Sequence, residues 1–68
     1  MAYNLFDVVT ASEALPEFGI HAGMTGTVVE VYQDGAVEVE FCDQNGVTLI
    51  HAAMQPSQIA LADIRSAA

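Results

Sequence analysis

One cysteine, one arginine and no lysine in 68 residues set the first bounds on this chain. Cys42 has no second cysteine to bridge and offers a metal only one thiolate, so neither a disulfide framework nor a structural zinc site is expected. Arg65 stands against nine carboxylates, for a formal net charge of −8. Lysine and arginine are the residues that bind phosphate backbones, by releasing their counterions. Their scarcity argues against direct binding of nucleic acid or of anionic lipid. No apolar run approaches the ~20 residues needed to cross a bilayer. Met1-Ala2-Tyr3-Asn4 also lacks the basic segment and apolar run of a secretory signal. The expectation is a cytoplasmic protein with no membrane span and no cofactor.

The length suits one domain, residues 1–68, and a domain of this size buries only about 60% of the surface its unfolded chain exposes. A thin core without staples often relies on self-association or a partner. The charge makes a basic protein the natural complement, although solubility alone is a sufficient reason for acidity.

The chain then reads as short apolar runs separated by turn signals, the mark of an all-β fold. Strands are expected at Leu5 to Thr10, Thr27 to Tyr32, Ala36 to Cys42, Val47 to Met54 and Ile59 to Ile64. The third alternates most cleanly, with Val37, Val39 and Phe41 on one face and Glu38 and Glu40 on the other. That period of two implies one buried and one wet face. Gln33-Asp34-Gly35 and Asp43-Gln44-Asn45-Gly46 supply the turns of an antiparallel meander, the Asn-Gly pair being a strong hairpin signal. Pro56-Ser57-Gln58 predicts a short helical turn before the last strand. Ser57 also suits the N-cap of a helix over Gln58 to Ser66, but nine residues of helix are marginal alone, and the strand is favoured.

A strand, a long loop from Ala11 to Gly26, a three-stranded meander, a helical turn and a last strand give the order of a small five-stranded SH3-like barrel. The passage Gly19 to Tyr32, with Gly23-Met24-Thr25-Gly26-Thr27-Val28-Val29-Glu30-Val31 inside it, resembles the KOW motif of ribosomal and transcription-factor barrels. Leu5-Phe6-Asp7-Val8-Val9, Leu15-Pro16-Glu17-Phe18-Gly19, Val37-Glu38-Val39-Glu40-Phe41, Gly46-Val47-Thr48-Leu49 and Gln58-Ile59 complete a narrower likeness. Together they resemble short bacterial proteins of unknown function with an SH3-like barrel. That resemblance implies the fold over nearly all of Leu5 to Leu61 and no assigned activity. It also implies, from the toxin-like neighbours such proteins have in small operons, an antitoxin or immunity role. The chain departs from the pattern at Met24-Thr25, in its alanine content and in the missing basic residue after Gln58-Ile59. The charge departure weakens a KOW-style RNA role further.

Chemistry has few candidates. Cys42 and His51 fall near each other when counted outward from the Asn-Gly turn, and a cysteine–histidine pair can activate a thiolate. No orienting group or pocket is evident, and His21, His51 and Cys42 lack zinc-ligand spacing. The sequence therefore favours a protein that is not an enzyme and holds no metal. Glu30, Glu38 and Glu40 read either as a solvated sheet face or as an acidic stripe for a partner's lysines and arginines. Leu15, Phe18 and Ile20 read either as a cap on the open end of the barrel or as an apolar anchor ringed by acids, the composition of an interaction hot spot. Tyr3, Phe6 and Tyr32 are further aromatics, but no exposed aromatic cluster for a proline-rich peptide is evident. Three readings follow: a protein-interaction module docking a basic protein through Glu30, Glu38, Glu40, Leu15, Phe18, Ile20 and Tyr32; a KOW-like nucleic-acid-associated barrel; and a homo-oligomer assembled through edge strands.

Overall fold

Val9, Val28, Val39, Ala52 and Ile59 come from five different segments of the sequence and meet in one core cluster. The computed structural model describes residues 3–42 and 45–62. It contains strands β1 (Val8–Ala11), β2 (Thr25–Val31), β3 (Val37–Cys42), β4 (Thr48–Met54) and β5 (Ile59–Leu61), with 3-10 turns at Pro16–Phe18 and Pro56–Gln58. The strands form one antiparallel sheet in the order β4-β3-β2-β1-β5. This all-β arrangement is consistent with a small SH3-like fold. The strands at both edges contribute to the same core, Ala52 and Met54 from β4 and Ile59 from β5. A single sheet can do this only by curling round its own inner face.

Alternation drives the curl. β3 buries every second residue, placing Val37, Val39 and Phe41 inward and Glu38, Glu40 and Cys42 outward. β2 starts in the same phase, with Gly26 and Val28 inward. A strict period would then put Glu30 in the core. The chain avoids this with a bulge: Val28 pairs with Val39, but Glu30 pairs with Glu38 and Val31 with Val37, so Val29 is an extra residue. A bulge of this kind inserts one residue and bends the strand. Here it turns the Glu30 carboxylate away from an apolar core.

The glycine that opens β2 is fixed by packing. A Cβ on Gly26 would lie 2.6 Å from Val39 Cγ1, 2.9 Å from Phe41 Cδ1 and 3.0 Å from the Glu40 carbonyl oxygen. Phe41 is fully buried directly opposite, so its ring crosses the space a side chain would need.

The long first loop folds back on the core. Leu15 and Ile20 exchange backbone hydrogen bonds of 2.9 and 3.2 Å around the Pro16–Phe18 turn. Gly19 ends that turn in the left-handed region at φ 75°. The loop then rejoins β1 where Ala11 donates to the Met24 carbonyl. At the other end of the chain, the side chain of Gln58 accepts a hydrogen bond from the Gln55 N–H at 2.9 Å. The Pro56–Gln58 turn it closes feeds Ile59 into pairing with Ala11.

Several strand boundaries change: β2 spans Thr25–Val31 rather than Thr27 to Tyr32, and β3 and β4 begin at Val37 and Thr48 rather than Ala36 and Val47. The first strand does not include Leu5 and Phe6, which occupy a tight turn before Val8. Ile59–Leu61 is strand, so a helix beginning at Gln58 is not formed there. The remainder of the expected Ile59 to Ile64 segment beyond residue 62 lies outside the described residues, as do Asp43 and Gln44 of the Asn-Gly hairpin.

Replacing Gly26 by alanine is expected to destabilise the fold by about 1–3 kcal/mol, the usual cost of overpacking a filled core. Urea unfolding would show it as a lowered midpoint with an unchanged slope.

Candidate interaction surface

The outer face of the meander is organised by the register of β2, β3 and β4. Thr27 pairs with Glu40, and Glu40 in turn with His51. Glu30 pairs with Glu38, and Glu38 with Ala53. Glu30, Glu38 and Glu40 therefore share one face, as the alternation of β3 and the β2 bulge require. Glu40 has a partial counter-charge: His51 Nε2 lies 3.4 Å from Glu40 Oε2 on an open surface. An exposed pair of this kind contributes little to stability, and its attraction needs the histidine protonated.

Glu30 and Glu38 are directly opposed like charges, a cross-strand arrangement that destabilises a sheet. The phenol of Tyr32 relieves part of it by donating to Glu38 Oε1 at 2.9 Å. That hydrogen bond is the main reason the Tyr32 hydroxyl holds its proton above the ordinary tyrosine range. Desolvation and the negative charges of Glu38 and Glu30 act in the same direction.

The loop residues separate from one another. Ile20 is only 1% exposed and belongs to the core, and Leu15 packs half-buried against that core. A buried side chain offers no surface, so in this structure Ile20 is a core residue rather than part of an exposed docking face. Phe18 is 52% exposed on the Pro16–Phe18 turn beside the exposed Glu17. It remains available.

Cys42 and His51 are not cross-strand partners. A second bulge shifts the register of β4, so Cys42 pairs with Thr48 while His51 faces Glu40. Among the described residues no three His, Cys, Asp or Glu side chains are grouped to hold a metal ion. No helix among them is long and apolar enough to cross a membrane.

Sequence reasoning missed one feature. Asn4 to Asp7 form a tight turn, with Asp7 N–H donating to the Asn4 carbonyl at 3.1 Å and Asn4 N–H to the Asp7 carboxylate at 2.8 Å. Its second central residue, Phe6, has φ 71°. Turns that need this conformation ordinarily place glycine or asparagine there, and an aromatic residue in it costs on the order of 1–3 kcal/mol. Phe6 and Asp7 both bond Val28, which accepts from Phe6 N–H at 2.7 Å and donates to the Asp7 carbonyl at 2.9 Å. Two residues thus oppose one, a bulge whose first position is left-handed. The Phe6 ring is nevertheless 74% exposed. The sequence signal was the Asn4 and Asp7 pair flanking two apolar residues, since both suit turn positions.

The fold and this surface define a small all-β protein with a carboxylate-bearing outer sheet face and exposed apolar side chains at one turn. The model of a family described as a domain of unknown function (DUF4926) matches residues 5–61, and the chain belongs to that family. No curated protein and no solved structure matches the chain.

Two measurements test the electrostatics. Glu30→Lys replaces a repelling cross-strand pair with an attracting one and is expected to stabilise the fold by about 0.2–1 kcal/mol in urea unfolding. For Tyr32, the raised hydroxyl pKa means that its contribution to stability is complete below the ordinary tyrosine value of about 10 and is lost as pH rises through the higher folded value. Glu38→Gln is therefore expected to move the Tyr32 ring titration, followed by NMR, to lower pH.

Proposed function

We propose that this protein is a non-catalytic interaction module that binds a basic protein, as a cytoplasmic antitoxin or immunity-type inhibitor would. The observation carrying this reading is the directly opposed pair Glu30 and Glu38, kept on the outer face at a cost to the sheet, beside Glu40. A fold selected only for solubility has no need to oppose two carboxylates across adjacent strands. A lysine- or arginine-bearing surface docked there removes the repulsion and gains from each charge. Tyr32, hydrogen-bonded to Glu38, adds an exposed aromatic ring to the same patch. The Glu40–His51 pair marks the other side of the same patch. Electrostatic steering would make association fast and strongly dependent on salt.

The test is co-expression with the product of the adjacent gene, followed by co-purification. A basic neighbour that is toxic alone, harmless with this chain and released from it by salt supports the reading. Charge reversal at Glu38 and Glu40 is expected to weaken that complex by at least about tenfold, the loss of two attractive charges at a docked interface. Tight binding of RNA or DNA to the isolated protein at low salt would instead favour a nucleic-acid-associated barrel and overturn the proposal.

A further inference from the structure

The Asn4 to Asp7 turn combines two properties that oppose each other in a fold under no other constraint. Phe6 adopts a left-handed backbone conformation, φ 71°, that glycine would adopt without steric cost. Its ring is also 74% exposed, so the side chain brings little burial to set against that strain. Leu5, the other central residue of the turn, is 51% exposed. Two large apolar side chains are thus held at the tip of a turn fastened by four hydrogen bonds: Asp7 N–H to the Asn4 carbonyl, Asn4 N–H to the Asp7 carboxylate, and both bonds to Val28. Fastening of this kind fixes the direction of the Cα–Cβ bond from which each exposed side chain projects.

The neighbouring strand is uncovered at the same place. β1 pairs with β2 from Thr25 to Thr27, and the Phe6–Asp7 bulge closes on Val28. Beyond Val28, β2 continues through Val29, Glu30 and Val31 with no strand beside it on the β1 side among the described residues. Val29, Val31 and Tyr32 are all exposed. Glu30 interrupts these apolar residues, and Glu38 lies opposite it.

We infer that Phe6, with Leu5, is the apolar anchor by which this protein grips its partner, and that the partner is a basic protein presenting an apolar pocket rimmed by lysine or arginine. The inference rests on the reading of a basic protein partner and adds the residue that enters it. The charge selects the occupant. A second copy of the chain would bring another formal charge of −8 against Glu30 and Glu38, and nucleic acid would bring phosphates. Only a cationic surface gains at Glu30 and Glu38 while its pocket takes the ring. A single buried aromatic at the centre of such an interface characteristically dominates its affinity.

The experiment has two arms. In the first, Phe6→Gly is compared with the parent protein by urea unfolding. The expected midpoint is unchanged or higher, because glycine relieves the φ; a lower midpoint would show that the ring serves the fold and would overturn the anchor. In the second, Phe6 is replaced by p-benzoylphenylalanine in producing cells, with Phe18 replaced likewise as the comparison site, and adducts are identified by mass spectrometry after irradiation. The expected result is one adduct at position 6 with a lysine- and arginine-rich protein, whose binding falls at least tenfold in Phe6→Gly. No adduct at position 6, an adduct with a second copy of this chain, or an adduct at position 18 alone would each overturn the anchor. Equal binding of that basic protein to Phe6→Gly and parent would overturn the anchor while leaving the basic-partner reading intact. An adduct with an acidic protein would overturn both.

Discussion

The structure depends on a one-residue change of phase in β2. Val28 is the last residue of that strand to follow the alternation set by Gly26, and the extra residue Val29 reverses the faces beyond it. Without the bulge, Glu30 would point into the cluster formed by Val28, Val37 and Val39, where an unpaired carboxylate is prohibitively costly. With it, Glu30 joins Glu38 outside and Val31 comes opposite Val37. The core and the acidic face are therefore not independent features. The same insertion keeps one dry and makes the other.

Val28 is also where β1 gives way to the Asn4 to Asp7 turn. It is fully buried and has an irregularity on each side: Phe6 and Asp7 toward β1, Val29 toward β3. Bulges bend and twist a strand more than regular pairing does. Two of them at one residue help a five-stranded sheet close on its own inner face without a second layer. Gly26, two residues earlier, lets the Phe41 ring fill the space this curvature encloses.

Much of this was legible in the sequence where one face is buried and local chemistry agrees with it. The alternation of Val37, Val39 and Phe41 fixed β3 and its outward glutamates. The Gln33-Asp34-Gly35 turn forms as its residues suggest, with Gly35 at φ 94° and the Asp34 carboxylate accepting from Ala36 N–H at 3.0 Å. Pro56-Ser57-Gln58 forms its short turn. What was not legible depends on single inserted residues. Leu5 to Thr10 reads as one strand despite Asp7, because residue type alone does not distinguish a left-handed phenylalanine from an extended one, and only the Asn4 and Asp7 pair hints at the turn. Counting from the Asn-Gly turn could not give the pairing of Cys42, because β4 carries one extra residue between Thr48 and Ile50 that sets Cys42 opposite Thr48 while His51 stays opposite Glu40. Pattern reports the face of a residue, and a bulge changes the face without changing the pattern's residues.

The loop and the turn show how a thin core divides apolar residues between fold and surface. Ile20 and Leu15 are drawn in because the loop between β1 and β2 folds back on the core through the Leu15–Ile20 bridge. Tyr3 is held there as well, its hydroxyl donating to the Ile59 carbonyl at 3.2 Å. Leu5 and Phe6 lie between Tyr3 and Val8, within a few residues of the same core, yet are turned out by a hydrogen-bonded turn. A chain of 68 residues has few large side chains with which to build a core. Leaving a phenylalanine outside it, in a conformation that itself opposes folding, sets stability against some other use of the ring. The opposed glutamates at the neighbouring end of β2 express the same tension in charge rather than in backbone geometry. Both lie where β1 stops covering β2, so the left-handed turn and the opposed charges come together at one end of that strand's pairing with β1.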